Sequence, residues 1–184
     1  MDLEILNNDT ILFLNEENID LPFAGSIDET FNELLRILDA NKLVSKKTDV
    51  LKNTSSVLDL LAGVGNTHEK EVLDAAQAYI LIKHTKLKTD VLNDYFGKYS
   101  IEAAKVLSQN HSQPSEYFEA IFENNECPYV SKIKLADYIY EIKTQKEKLG
   151  SIEPKLIEEI NYVISNYENK AQKGLMQLVK SLVI

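Results

Sequence analysis

The 184-residue chain has a single cysteine, Cys127, which excludes an internal disulfide and fits a reducing compartment. No histidine lies near Cys127 in sequence, so nothing marks it as a nucleophile, and a small buried hydrophobe is its expected role. No apolar run is long enough to span a bilayer. The opening MDLEILNNDT lacks the basic stretch of a secretion signal. Basic residues are in deficit, with 20 Lys and Arg against 29 Asp and Glu, for a net charge of −9. A surface that acidic repels phosphate backbones and argues against general nucleic-acid binding, while a small anion could still be held in a locally basic pocket. There is no internal repeat and no low-complexity linker. Together these absences lead to the expectation of a cytoplasmic protein whose partners include neither membrane nor nucleic acid.

What is present suits one globular domain. Hydrophobic residues make up 44% of the chain, enough for a sizeable core. Residues 1–25 hold the only strand-like pattern. In TILFLNEENIDLPFAG a short apolar run, a polar turn and Pro22 before Gly25 suggest a β-hairpin or extended arm. From residue 26 to 184 the periodicity is helical. Ser26 and Glu29 have the spacing of a capping box, followed by Phe31, Leu34, Leu35 and Leu38 on one face. The polar segment DANKLVSKKTD interrupts the pattern. TSSVLDLLAGVG then reads as a short helix stopped at Gly63 and Gly65, and Asn66 or Thr67 can cap the helix that follows. A short helix from Thr89 to Phe96, another from Ser100, SEYFEAIFENN after Pro114, a long helix closed by Gly150, and one opening at Pro154 complete the series. The expected architecture is an all-α bundle of seven or eight helices.

Two of these segments carry a family likeness. AAQAYILIKHTKLKTDVLNDYFG, from Ala75 to Gly97, resembles the AALLHD-x-x-ED-T helix and following F-G of the HD-domain alarmone hydrolases, which remove pyrophosphate from guanosine tetraphosphate. KIKLADYIYEIKT, from Lys132 to Thr144, resembles that family's VKLADRLHNLRT helix and is the most specific element. A weaker likeness covers ANKLVSKKTDVLKNTSSVLDLLAGVG upstream. Order and spacing agree over roughly residues 28 to 170.

The resemblance implies an HD-type helical fold whose metal centre lies between the Ala75–Lys83 and Lys132–Lys143 helices. In the family a His, a His-Asp pair and a distant Asp hold one divalent cation, often manganese. The cation activates a water and steadies phosphate charge, and a Glu-Asp pair handles protons. In this chain the first His position falls on Asn53 and the His-Asp pair on Tyr79 and Ile80. The Glu-Asp pair falls on Lys83 and His84, and only the last Asp survives, as Asp137. The Asn of the second motif becomes Glu141, and the basic nucleotide contacts fall on Leu43 and Val44. One carboxylate holds a hydrated divalent ion weakly, Ile80 donates nothing, and the phenol of Tyr79 titrates near pH 10. Lys83 adds a positive charge beside the ion's position. The expectation is therefore a domain that keeps the frame without metal, cofactor or catalysis. It would act by binding a protein partner of regulatory, antitoxin or immunity-like kind, or a guanosine nucleotide it does not cleave. One rival expectation is a manganese-dependent guanosine tetraphosphate hydrolase whose ligands have moved to His84, Asp137, Asp90 and Asp94, and another is a purely structural subunit of a larger assembly.

Simpler readings stand beside these. Tyr79 and Ile80 suit a helix core. Lys83 and His84 suit a solvated helix end, where cations complement the dipole. Asp137 could be a surface or hydrogen-bonding residue without a ligand. His68 and His111 read as solvent-facing residues, and the tyrosines of ADYIYEI as packing.

Overall fold

The computed structural model describes the backbone of residues 24–109 and 113–183, with side chains from residue 32 onward within that range. The expected hairpin arm lies outside the described residues, as do the Ser26 capping contacts, the side chain of Phe31, and His111. The chain divides into two compact units, residues 1–32 and 33–184. The larger unit is described below.

Among the described residues every element is helical: α1 (Ala24–Ala40), α2 (Lys47–Gly63), α3 (Lys70–Thr85), the single turn α4 (Thr89–Leu92), α5 (Lys98–Ser108), α6 (Pro114–Phe122), α7 (Val130–Leu149), α8 (Pro154–Tyr167) and α9 (Lys173–Val183). The fold is all-α. Periodic apolar spacing makes these helices. In α8, Leu156, Ile160, Val163 and Tyr167 are buried at i, i+4, i+7 and i+11, the stripe expected of an amphipathic helix. Pro154 occupies its first turn, where a missing N–H is tolerated. Gly150 closes α7 with a left-handed φ of +71° that a Cβ would disfavour.

Several boundaries differ from the sequence reading. The polar segment after α1 is not an open break. A 3-10 turn at Val44–Lys46 leads straight into α2, which begins at Lys47 and runs 17 residues. Val50, Asn53 and Thr54 are buried, so the first half of α2 is held by tertiary packing that polar composition conceals. Glu69 stands at the N-cap of α3 rather than Asn66 or Thr67. Thr67 is instead buried, donating to the Gly65 carbonyl at 3.1 Å and accepting from Lys132 Nζ at 3.0 Å. Gly97 begins α5 rather than ending α4, and α5 starts at Lys98 rather than Ser100. Ser100 donates to the Glu71 carbonyl at 2.9 Å, tying α5 to the start of α3.

Helices α3 and α5 pack closely along their small residues. Ala75, Ala76 and Ala78 of α3 and Ala103 and Ala104 of α5 are fully buried. Helix α2 lies against both α3 and α7, and α9 covers another side of α7. Buried positions from Val130 to Ile142 fall all round α7, which marks it as the central helix. Cys127 is buried beside its start, as expected of a small hydrophobe. His68 is exposed. Helices α3 and α7 do not pack backbone to backbone. They are bridged by long side chains, over ground shared with α2.

The α2–α3 corner has a steric requirement. A Cβ on Gly65 would stand 2.7 Å from the Leu61 carbonyl oxygen, whereas one on Gly63 would meet nothing within 4 Å. Gly65→Ala should therefore destabilise the fold by about 1–3 kcal/mol. Gly63→Ala, inside the last turn of α2, should stabilise it by about 0.4–1 kcal/mol. Urea denaturation of the two variants checks the difference.

Asp59, on the same helix, is half-buried and its Oδ2 has no hydrogen-bond partner. Burial pushes its carboxyl up to about 6. Folding therefore favours the protonated acid, and the cost of ionising it appears as pH rises through the interval between the ordinary carboxyl value and 6. Asp59→Asn should raise the melting temperature at pH 7–8 and leave it nearly unchanged at pH 4. An equal effect at both pH values would contradict this account.

Candidate functional site

Six of the seven residues singled out from the sequence converge where α2, α3 and α7 meet. Asp137, on α7, is fully buried. Lys83 Nζ donates to its Oδ1 at 2.6 Å, and the Tyr79 hydroxyl donates to its Oδ2 at 2.8 Å. Lys83 also reaches Glu141 Oε1 at 2.7 Å. Tyr79 and Lys83 are four residues apart on α3, and Asp137 and Glu141 four apart on α7. Each pair thus sits one turn apart on one helix face. That matched spacing lets two side chains of α3 meet two of α7 across a gap the backbones do not close.

The remaining pair lies alongside. Asn53, fully buried on α2, places Nδ2 2.8 Å from His84 Nε2. With Asn53 donating, His84 is the neutral tautomer that carries its proton on Nδ1. Asn53 Oδ1 is buried without a partner. Asn53, Lys83, His84 and Glu141 line a cleft of about 290 Å³, with Tyr140 and Lys148 at its rim. Tyr79 and Asp137 stand behind it. Ile80 is fully buried, and Tyr79 is 5% exposed.

The expectation that Lys83 and His84 form a solvated helix end is corrected. The Lys83 side chain is 25% exposed and bound to two carboxylates, and His84 faces Asn53. The physical reason is the buried acid. A carboxylate withdrawn from water requires a counter-charge, and a lysine one turn beyond Tyr79 is long enough to supply it. Asp137 is likewise not a surface residue. Glu141 is half-buried, and its place as second partner to Lys83 follows from its spacing to Asp137.

The charges bias one another. Burial pushes the Asp137 carboxyl up, but the Lys83 and Lys134 ammonium groups and the hydrogen bonds from Lys83 and Tyr79 outweigh it and hold Asp137 below the ordinary range. Burial and the neighbouring Asp137 charge push Glu141 up, against the pull of Lys83. Burial would lower Lys83, yet the two carboxylates raise it well above the usual lysine value, so it stays charged. Burial and the Lys83 charge lower His84, which keeps it neutral at pH 7. The Tyr79 phenol is raised by burial and by Asp137, so it remains a donor.

These residues do not fit a divalent metal. The ammonium of Lys83 already lies between Asp137 and Glu141, Asn53 offers an amide, and Ile80 no donor. The relocated set is not assembled either. Asp90 and Asp94 are exposed, and among the described residues no three or more His, Cys, Asp or Glu side chains gather as ligands. Leu43 is half-buried and Val44 is 58% exposed, so neither position offers a cation to a phosphate. Among the described residues no helix is long and apolar enough to cross a membrane. Comparison with protein-family models, curated proteins and solved structures finds no match.

Lys83→Met should remove the counter-ion of Asp137 and cost about 3–5 kcal/mol at pH 7. Tyr79→Phe should cost about 1.5–3 kcal/mol, the worth of a hydrogen bond to a charged group. Asp137 in the native protein is depressed, so its contribution is present above the ordinary carboxyl value and lost as pH falls. In Lys83→Met the sign reverses, because the uncompensated acid takes up a proton more readily. The deficit of that variant should therefore narrow as pH is lowered toward about 4. Adding Asp137→Asn to Lys83→Met should recover part of the loss. Chemical denaturation across pH measures all three, and a deficit independent of pH would contradict the ion-pair account.

Proposed function

We propose that this chain is an alarmone-hydrolase-like domain that has lost hydrolysis and acts by binding, with a protein partner favoured over an uncleaved guanosine nucleotide. The observation that carries the reading is the Lys83 ammonium held 2.6 Å from Asp137 and 2.7 Å from Glu141, at the position the resemblance assigns to a divalent cation. A tethered monovalent cation satisfies the surviving carboxylate, but it has no open coordination position at which to activate water. The convergence of Asn53, Tyr79, Lys83, His84 and Asp137 supports the reading further. Those positions come from α2, α3 and α7, far apart in sequence, and the alignment to the family motifs picks them out.

A partner is favoured over a nucleotide for two reasons. Tyr79 and Ile80 fill space with buried carbon, and burying two such side chains gains about 1.5–3 kcal/mol each. The basic contacts a polyphosphate needs are replaced by Leu43 and by the exposed Val44, an apolar side chain better suited to a protein surface.

The purified protein should bind no manganese at stoichiometric level and release no pyrophosphate from guanosine tetraphosphate in its presence. Affinity capture from the native cell should recover a protein at near-equal amount. Turnover with manganese would overturn the reading, and saturable guanosine tetraphosphate binding without a captured protein would move it to the nucleotide. The double variant Tyr79→His, Ile80→Asp should melt lower than the parent without metal, because a charge enters a space now packed with carbon. Manganese should restore part of that loss. A variant as stable as the parent without metal would show that the space was open and polar.

A further inference from the structure

A second cleft lies away from the Lys83–Asp137 centre, where α6, α7 and α8 meet. It measures about 710 Å³, within the range of small-molecule sites. At its base is Lys134, only 7% exposed. No carboxylate among the described residues pairs with this ammonium. It lies over the ring of Tyr138, 4.4 Å from the centroid, and over that of Tyr117 at 5.6 Å. It also stands beside the Tyr117 hydroxyl, whose own proton goes to the Leu107 carbonyl at 3.0 Å. Besides these ring faces and one neutral oxygen, Lys134 acts on the Asp137 and Glu141 carboxylates only at a distance, so among the described residues no anion is in contact with it. Lys83, by contrast, holds two carboxylates, at 2.6 and 2.7 Å.

The walls add a second element. Tyr117, Phe118 and Tyr162 line the cleft, with Phe118 packed at 5.3 Å on each tyrosine. Tyr162 packs on Phe118 and Tyr167 and is 36% exposed, which leaves part of its ring open to a ring entering from solvent. Lys155 stands at the mouth, but so do Glu158 and Glu159, the latter accepting from the Tyr138 hydroxyl at 3.4 Å. Two carboxylates at the rim repel a polyphosphate, whereas a single negative charge can pass to the cation at the base.

We propose that this cleft binds a small ring-bearing organic monoanion, of the aromatic carboxylate class, with its carboxylate on Lys134 and its ring against Tyr162. Its cleft is not the one lined by Lys83 and His84, although the Lys134 charge also acts on Asp137 and Glu141 from a distance. Lysine suits the role as a point charge with three donors, not all of them used by the surrounding protein.

The test is a protein-observed NMR titration of the full chain with 4-hydroxyphenylacetate and indole-3-acetate. Acetate serves as the control without a ring, 4-methylphenol as the control without a charge, and guanosine 5′-monophosphate and tetraphosphate as phosphate controls. The expected result is saturable shifts at Tyr117, Lys134 and Tyr162 with the two aromatic carboxylates, each binding at least about tenfold more tightly than any control. Lys134→Met should weaken binding by about tenfold or more. Tyr162→Ala, at the exposed rim, should weaken the aromatic carboxylates toward the level of acetate without altering the fold, and it keeps the test decisive if Lys134→Met fails to fold. Absence of saturable shifts would overturn the proposal. So would equal binding of acetate, preference for either phosphate, or aromatic carboxylate binding indifferent to Tyr162→Ala.

Discussion

The buried carboxylate of Asp137 is the constraint on which the centre of this molecule depends. It sits on the helix that the others surround, fully out of water, and an isolated ionised acid there would be too costly to keep. Everything near it can be read as a response. Lys83 and Tyr79 descend from α3 to take one oxygen each. Helices α3 and α7 can then stand apart, because two long side chains span the gap, while α2 packs against both. Such a centre adds little net stability compared with carbon of the same volume. It does fix how the helices align, since a shift of α3 by one residue would carry Tyr79 and Lys83 off Asp137 together.

Much of this was legible in the sequence, and the reasons are specific. The helices of α7 and α8 announced themselves through periodic apolar residues and through Gly150 and Pro154 at their ends. Tyr79 and Ile80 read as core because they continue an apolar face. The start of α2 was not legible. KKTDVLKN is polar enough to pass for a loop, and only the burial of Val50, Asn53 and Thr54 against other helices makes it helical. Gly97 is ambiguous in the sequence, because a glycine can begin a helix as well as follow one, and here it begins α5.

The site was legible in position and less so in chemistry. Spacing to the family motifs picked out Asn53, Tyr79, Lys83, His84, Asp137 and Glu141, and the structure brings them together. It could not reveal that Lys83 turns inward, because a lysine near a helix end carries the same pattern whether it meets water or an acid from another helix. The i, i+4 match between Tyr79 and Lys83 on one helix and Asp137 and Glu141 on another was the available signal. It becomes readable only when the two helices are known to face each other. Lys134 gives no signal in the sequence. Within KIKLADYIYEI it looks like any lysine on a helix surface, and its burial follows from α7 being enclosed on all sides.

Charge balance explains why this centre suits a lysine better than a metal. Asp137 and Glu141 contribute two negative charges, and Lys83 and Lys134 two positive ones that draw both carboxyls downward. The group is close to neutral, the condition under which a buried cluster is least costly. Adding a divalent cation would leave it with two uncompensated positive charges unless both lysines deprotonated or left. Lys83 is held against deprotonation by the same two acids, and Tyr79 cannot supply a phenolate, because burial and Asp137 raise its pKa together. Metal binding at this place would thus require more than new ligands at Tyr79 and Ile80. The cation at Lys83 must also be removed, because it and the metal compete for the same two carboxylates.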